Sequence, residues 1–309
     1  MRMARGLRAR ARGSAPAPPR YDSWLEAFHG DRLRAIEAAC AGGGPECFAL
    51  FCDLDIDLWA LLLTKEYDAY PNIRALLPDT PEPSLQELWN GASGIALAMM
   101  GASFYRRLTA RFAEHSTLAL ADARVLDFGC GWGRLTRFLA RDVAPGALCG
   151  CDPAQMILDV CEQTRVPAVL RRSEFVPERL PFDEPFDLAF AFSVFTHLSE
   201  PAHEAALRAL HAALRPGALL VVTVRPPAYA HVSPLLRPTA IAPQEARYLF
   251  VPHAADDRHP QYGGGEMTYG ETIVTLPYIL ERWAPLFEVL SVDLLLDDLH
   301  QVMVTLRRR

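Results

Sequence analysis

The chain has 309 residues, of which 50% are hydrophobic and 22% charged, so it can bury a substantial core. The net charge of −6 is unevenly distributed, because residues 1–20 hold six arginines and no acidic residue. The remaining residues carry 25 basic and 37 acidic side chains. An acidic body repels phosphate backbones, so we expect no nucleic-acid partner.

Residues 1–20 form an Arg-, Ala- and Pro-rich tail that we expect to be disordered. The tail lacks the apolar core of a secretory signal, which leaves a solvated tail and an organellar transit peptide as alternatives. No apolar run approaches the roughly 18 residues that span a bilayer, so we expect no membrane partner. The seven cysteines match no metal-binding spacing and are typical of a reducing compartment, which favours a cytoplasmic protein without a bound metal.

Residues 21–115 are predicted to form an N-terminal helical cap. The segment "WLEAFHGDRLRAIEAAC" places apolar residues at helical spacing, and "FALFCDLDIDLWALLL" is apolar enough to contribute to the core. Ser84 is the predicted cap of "LQELWNGASGIALAMMGASFYRRLTARF", which one or two helices interrupted near Gly91 would form.

Residues 116–309 alternate between short β-rich runs and helical segments. The predicted strands are "ARVLDFG", "ALCGCD", "AVLRRS", "FDLAFAFS" and "ALLVVTV", and the helices between them include "WGRLTRFLARD", "AQMILDVCEQT" and "PAHEAALRALHAAL". This alternation predicts an α/β fold with a doubly wound parallel sheet. The last two strands, "FEVLSVDLLL" and "HQVMVTLRR", are joined by a link too short for a crossover, so the final strand is predicted to be antiparallel.

A connection of fifty residues, 226–275, separates the fifth strand from the helix before the final hairpin. Connections this long in a compact domain are usually functional or disordered, and this one is rich in tyrosine. Its segments "ARYLFVPH" and "GEMTYGETIVT" are predicted to pair as a small hairpin. Because the insertion follows a strand whose carboxyl end faces the ligand crevice, we expect it to form the acceptor wall together with the N-terminal helices.

The loop "VLDFGCGWGR" opens a helix after the first strand and places three glycines at every second position. A dinucleotide would require G-x-G-x-x-G, but Arg134 occupies the third glycine position. An acid two residues before the first glycine, Asp127, instead suits the cationic amino-acid end of S-adenosylmethionine. Asp152 ends the second strand, where a carboxylate accepts ribose hydroxyls; the alternative role is a helix N-cap.

Together these motifs resemble the class I S-adenosylmethionine-dependent methyltransferases over roughly residues 123–306. "VLDFGCGWGR" is similar to their first motif, "CGCDPAQMI" to their second strand and acid, "RLPFDEPFDLAFAFSVFTHL" to the segment ending in their fourth strand, and "LRPGALLVVTV" to their fifth. The resemblance implies an enzyme with a seven-stranded Rossmann-like sheet whose last strand is antiparallel, and S-adenosylmethionine as its cofactor.

The resemblance also implies the cofactor-binding residues. Met156 and Glu174 would border the adenine, Phe192 and Ser193 would line the methyl-donor pocket, and Tyr105 would close over the methionine end. With the residues of the loop and the second strand, the predicted cofactor set is Tyr105, Asp127, Gly129, Cys130, Gly131, Asp152, Pro153, Met156, Glu174, Phe192 and Ser193.

The acceptor is predicted to be an oxygen or nitrogen of a small molecule. The fourth strand is followed by Phe192-Ser193-Val194-Phe195, and neither an Asn/Asp-Pro-Pro-Tyr motif nor a Pro-Cys nucleophile is present there. His197, His253 and His259 are the candidate general bases, with solvated loop histidines as the alternative for each. The Arg- and Ala-rich composition is typical of a high-GC bacterium, for which specialised metabolism is the expected setting, and the sequence leaves assembly into a homo-oligomer open.

Two other functions compete with a methyltransferase. A nicotinamide-dependent oxidoreductase would need the third glycine and would not end in the predicted hairpin. A non-enzymatic scaffold that binds S-adenosylmethionine shares the cofactor half of the motifs, and only turnover distinguishes it from an enzyme.

Overall fold

The computed structural model describes residues 20–237, 247–255, 267–295 and 297–309. The strands, in chain order, are β1 (Val125–Phe128), β2 (Leu148–Asp152), β3 (Val169–Arg172), β4 (Phe186–Ala191), β5 (Leu214–Val224), β6 (Tyr248–Pro252), β7 (Gly270–Val274), β8 (Phe287–Leu294) and β9 (Val302–Arg308). The helices are α1 (Asp22–Ala39), α2 (Ile56–Thr64), α3 (Pro71–Leu76), α4 (Pro83–Asn90), α5 (Gly94–His115), α6 (Thr136–Leu139), α7 (Gln155–Gln163), α8 (Glu200–Ala213) and α9 (Leu276–Arg282). Residues 1–19, on which the prediction of a disordered tail falls, lie outside the described residues.

The centre of the fold is a seven-stranded sheet in the order β3-β2-β1-β4-β5-β9-β8. Strands β1 to β5 pair in parallel, whereas β9 lies antiparallel between β5 and β8. The short connection between β8 and β9 turns the chain directly back, which only an antiparallel pair permits. The predicted fold class, a seven-stranded Rossmann-like sheet with an antiparallel last strand, is therefore confirmed.

The two faces of the sheet are covered by different helices. Val125, Leu188 and Val221 point to one face and pack in the same core as α1, α2 and α5. Their neighbours Leu126 and Ala189 point to the opposite face and share a core with α8 and α9. Alternation of buried side chains to both sides explains the nearly continuous apolar strands in the sequence.

The segment before β1 is tied to α6 and the residues that follow it by buried arginines. Arg141 Nη1 donates to the Leu54 carbonyl oxygen at 2.6 Å, and Arg137 Nη2 donates to the Asp79 carbonyl oxygen at 2.8 Å. The predicted cap at Ser84 is wrong, because α4 begins one residue earlier, at Pro83, whose fixed φ suits the first helical position. The helix predicted over "WGRLTRFLARD" is limited to α6, because the residues before it continue the glycine loop as turns.

The insertion forms the predicted hairpin, in which β6 and β7 pair antiparallel. Main-chain hydrogen bonds attach β7 to the loop after β4: Gly270 N donates to His197 O at 2.7 Å, and Thr272 N donates to Thr196 O at 2.9 Å. The hairpin is thereby held at the carboxyl end of β4, at the edge of the sheet where the parallel strands end. Within the described ranges, no helix is long and apolar enough to cross a membrane.

Candidate active site

The glycine loop follows β1 with a backbone that L-residues rarely adopt. Gly129, Gly131 and Gly133 have φ values of +72°, +52° and +77°. The backbone N–H groups of Gly129 and Cys130 both donate to the Cys151 carbonyl oxygen, at 2.8 and 3.0 Å, which fixes the loop over the end of β2. A Cβ on Gly129 would lie 2.4 Å from Cγ2 of Val194, so only glycine allows this close packing.

Asp152 lies at the end of β2 and has unused acceptor capacity. Its Oδ2 accepts from Gly131 N at 3.0 Å and its Oδ1 accepts from Ala154 N at 2.9 Å. A carboxylate offers about four lone-pair sites, so roughly two remain for a ligand. Burial raises the pKa of Asp152 to about 6, against the opposing effect of these two N–H donors. The arrangement suits a ligand that donates two hydroxyl hydrogen bonds.

Asp127 lies near the end of β1, opposite Gly150 of β2, and accepts from Thr136 Oγ1 at 2.6 Å. Burial raises the pKa of Asp127 to about 7, although Thr136 and the Arg134 guanidinium favour its ionised form. A buried carboxyl of this kind is stabilised in its charged form when a cation binds beside it.

Asp127 and Asp152 line a cavity of about 1010 Å³. The cavity contains ten of the residues predicted from the sequence as cofactor ligands or bases: Asp127, Gly129, Cys130, Gly131, Asp152, Pro153, Phe192, Ser193, His197 and His253. Its volume is at the upper end of the range of about 300–1,000 Å³ that holds small molecules and cofactors.

Three predicted residues do not line this cavity, and a fourth cannot be placed. The prediction for Tyr105 is corrected: its hydroxyl donates to Asp142 Oδ2 at 2.6 Å, which turns the side chain into the core of the helical cap. Met156 is exposed on α7. Glu174 does not line the cavity, but its neighbour Phe175 does. His259 lies outside the described residues.

Ser193 is held in position by a chain of hydrogen bonds that runs through β5 to the loop before β9. Its backbone has a φ of +60°, and its N–H donates to Thr223 Oγ1 at 2.7 Å. Thr223 in turn donates to Gln301 Oε1 at 2.6 Å, and Gln301 Nε2 donates to Asp298 Oδ2 at 2.8 Å. Sequence patterns did not predict this network, because its members come from three separate segments of the chain.

At the other end of the cavity, His197 has both ring nitrogens engaged. Nδ1 lies 2.6 Å from the Gly270 carbonyl oxygen, and Nε2 lies 3.3 Å from Arg225 Nη2. A carbonyl only accepts and a guanidinium only donates, so Nδ1 carries the proton and Nε2 accepts from Arg225. The ring also stacks on Tyr269, with centroids 4.7 Å apart.

His253 is oriented differently, by a carboxylate. Its Nε2 lies 3.4 Å from Oε1 of Glu271, and the other oxygen of Glu271 is paired with the buried Arg225 guanidinium. The Glu271 carboxylate therefore faces the His253 ring with one oxygen and the Arg225 guanidinium with the other. Sequence reasoning named His253 but missed Glu271 and Arg225, because no motif marks a pair 46 residues apart.

The cavity fits S-adenosylmethionine on its own chemistry. The cofactor carries a sulfonium and an ammonium, and the described residues supply the buried carboxylates of Asp127 and Asp152 beside a glycine loop. A Cβ at Gly131 would have no atom closer than 3.8 Å, so the loop leaves space for a ligand above it.

Comparison with known proteins identifies the domain. Residues 125–217 match the family model described as "Methyltransferase domain". The chain is 31% identical over 131 residues to an uncharacterised methyltransferase of Schizosaccharomyces pombe, a match that covers 35% of this chain and 45% of that protein. The chain therefore spans less than half the length of this curated relative.

Solved structures resemble the chain at lower identity. An S-adenosylmethionine-dependent methyltransferase from Mesorhizobium loti is 18% identical, with 67% of this chain and 99% of that chain covered and a TM-score of 0.46. Magnesium protoporphyrin IX methyltransferase from Synechocystis PCC 6803, with bound S-adenosylhomocysteine, is 11% identical, with 93% and 97% covered and a TM-score of 0.48.

The family match covers the glycine loop, the second acid and the fourth strand, the motifs from which the resemblance was inferred. Residues 125–217 form a methyltransferase domain, which confirms the predicted resemblance to the class I S-adenosylmethionine-dependent methyltransferases. The predicted cofactor, S-adenosylmethionine, is the cofactor of that family.

Proposed function

We propose that the chain, with its class I methyltransferase domain, transfers the methyl group of S-adenosylmethionine to an oxygen or nitrogen of a small-molecule acceptor. One observation carries the proposal: a single cavity joins the carboxylates of Asp127 and Asp152 to a polar end that contains His197 and His253. The insertion, through Thr268, Tyr269 and His253, supplies part of the wall at that end. Specialised metabolism and a cytoplasmic location remain predictions from the sequence.

The chain has three tasks in this reaction. When bound, the cofactor supplies a methyl group already activated on a sulfonium. Asp152 would hold the ribose hydroxyls and Asp127 the ammonium, which fixes the sulfur in the cavity. The walls of the cavity would align the acceptor atom with the methyl group and exclude water.

We assign the general base to His253 rather than His197. His197 Nε2 already accepts from the Arg225 guanidinium, so adding a proton there would remove that hydrogen bond and set two cations together. His253 has Glu271 behind it, a carboxylate that orients the ring and stabilises the imidazolium formed when a proton is accepted. His197 is then a positioning residue that holds Arg225 and the insertion.

The proposed function is tested by ligand binding and turnover together. In titration calorimetry we expect micromolar or tighter affinity for S-adenosylhomocysteine and no measurable affinity for NAD. With S-adenosylmethionine and a panel of small phenols, carboxylic acids and amines, release of S-adenosylhomocysteine identifies an enzyme. Binding of NAD with comparable affinity would contradict the proposal, and cofactor binding without turnover of any acceptor would favour the scaffold.

A further inference from the structure

Arg134 is a buried cation without a hydrogen-bonded partner in the described part of the chain. It directly follows the glycine loop, is 8% exposed and lines the cavity. Its Nη1 is buried and has no hydrogen-bond partner. Arg137, one turn further, is equally enclosed but donates to Trp132 O, Asp79 O and Thr164 Oγ1. The contrast indicates that Arg137 has a structural role, whereas Arg134 has a donor that can bind a ligand in the cavity.

The two carboxylates whose charges act on Arg134 accept hydrogen bonds from other groups. Asp127 accepts from Thr136, and Asp298 accepts from His300 N and Gln301 Nε2. Both carboxylates attract the guanidinium only at longer range, and burial lowers the pKa of Arg134 to about 10. A buried guanidinium with this little compensation is stabilised by any anion that enters the cavity.

The guanidinium is also oriented. Its carbon lies 4.9 Å from the centroid of the Phe192 ring, a distance at which a cation is attracted to the aromatic face. A planar guanidinium held in this way offers parallel N–H donors that match the geometry of a carboxylate.

We propose that Arg134 binds the carboxylate of the cofactor's amino-acid end and makes the site selective for cofactors that carry it. This inference rests on the proposed function, since S-adenosylmethionine is the ligand. Arg134 and Asp127 then form a complementary pair, with the guanidinium facing the carboxylate and the Asp127 carboxylate facing the ammonium of the same amino acid.

The test compares S-adenosylmethionine with its decarboxylated analogue, which keeps the sulfonium, amine and nucleoside. Dissociation constants are measured by calorimetry without acceptor, for the wild type and for Arg134→Met, which keeps length and apolar bulk. We expect the wild type to prefer S-adenosylmethionine by roughly 10- to 100-fold, the effect of a charge-assisted hydrogen-bonded pair. In Arg134→Met the preference should fall to within a few-fold, with affinity for the analogue little changed.

The controls separate a carboxylate contact from a structural role. Arg208→Met, which changes an exposed arginine on α8, should keep the wild-type preference. Arg134→Lys should keep part of that preference, because an ammonium provides charge without the planar pair of donors. This variant provides the test if Arg134→Met does not fold.

Equal loss of affinity for both ligands in Arg134→Met, or a wild type without preference, would overturn the inference while leaving the proposed function intact. A wild type that binds neither ligand would instead refute the proposed function.

Discussion

The Glu271 carboxylate on β7 contacts His253 with Oε1 and Arg225 with Oε2. It thereby connects the loop after β6 to the residue that follows β5. A carboxylate behind a histidine is the arrangement that orients a general base and stabilises its protonated form. His197 lies on the other side of Arg225, at 3.3 Å. Arg225 therefore contacts His197 directly and is linked to His253 only through Glu271, so a different partner faces each ring.

The first prediction concerns this difference. Replacing His253 with Asn should lower kcat for any acceptor that the wild type methylates by roughly 10²- to 10⁴-fold, the usual contribution of a general base. The affinity for S-adenosylhomocysteine should stay within a few-fold, because His253 lies at the acceptor end.

Glu271→Gln should lower kcat less than His253→Asn, since the base is retained but its imidazolium is less stabilised. His197→Asn serves as the matched control and should reduce kcat by less than either. A larger loss of kcat in His197→Asn than in His253→Asn would reverse the assignment of the base.

The second prediction concerns Asp152. Changing it to Ala removes both acceptors for the ribose hydroxyls, each worth roughly 1.5–3 kcal/mol with a charged partner. The dissociation constant for S-adenosylhomocysteine should therefore rise by roughly two orders of magnitude or more. Calorimetry on Asp159→Ala, an exposed acid on α7, provides the comparison. Wild-type affinity in Asp152→Ala would refute the ribose contact.

The third prediction is a pH dependence set by Asp127. The folded protein raises the pKa of Asp127 to about 7, above the value of about 3.9 for an unfolded chain. Between these values the folded state binds more protons than the unfolded state, so the free energy of unfolding falls as pH rises from about 4 to 7. Asp127→Asn, which is uncharged, should lose this dependence and melt at a higher temperature than the wild type above pH 7.

Ligand affinity should change in the opposite direction. An ammonium beside Asp127 favours the ionised carboxyl, so wild-type affinity for S-adenosylhomocysteine should rise between pH 6 and 8, and Asp127→Asn should bind it weakly throughout. Melting curves and calorimetry at pH 5.5, 7 and 8.5 measure both effects. Equal melting temperatures of the variant and the wild type at pH 8.5 would contradict the buried charge.

The fourth prediction concerns residues 226–275. Replacing the insertion with a short linker should abolish methyl transfer, because it removes His253, Glu271 and part of the cavity wall. Affinity for S-adenosylhomocysteine should remain within a few-fold, since Asp127, Asp152 and the glycine loop lie on other segments. Turnover of the same acceptor by the shortened chain would place the acceptor site elsewhere, and a circular dichroism spectrum checks that the sheet still forms.

The sequence by itself determined the parallel sheet, its reversed last strand and the position of Asp127 and Asp152 at one edge of that sheet. These follow from local patterns, because apolar runs mark buried strands and the carboxyl ends of parallel strands meet at one edge. Asp127 and Asp152 could be placed there from their positions alone, and the short final link admitted only an antiparallel pair.

Only the tertiary structure decided which side chains meet at the acceptor end. Glu271 finds His253 and Arg225 because the insertion folds back onto the loop after β4, and sequence spacing does not encode that return. The same limit applies to the prediction for Tyr105. Its position in a helix did not show in which direction the side chain points, and the structure shows that its hydroxyl donates to Asp142. In the sequence, Arg134 stood out only as the residue that replaces the third glycine of a dinucleotide motif. That its buried Nη1 has no hydrogen-bond partner among the described residues became apparent only in the folded structure.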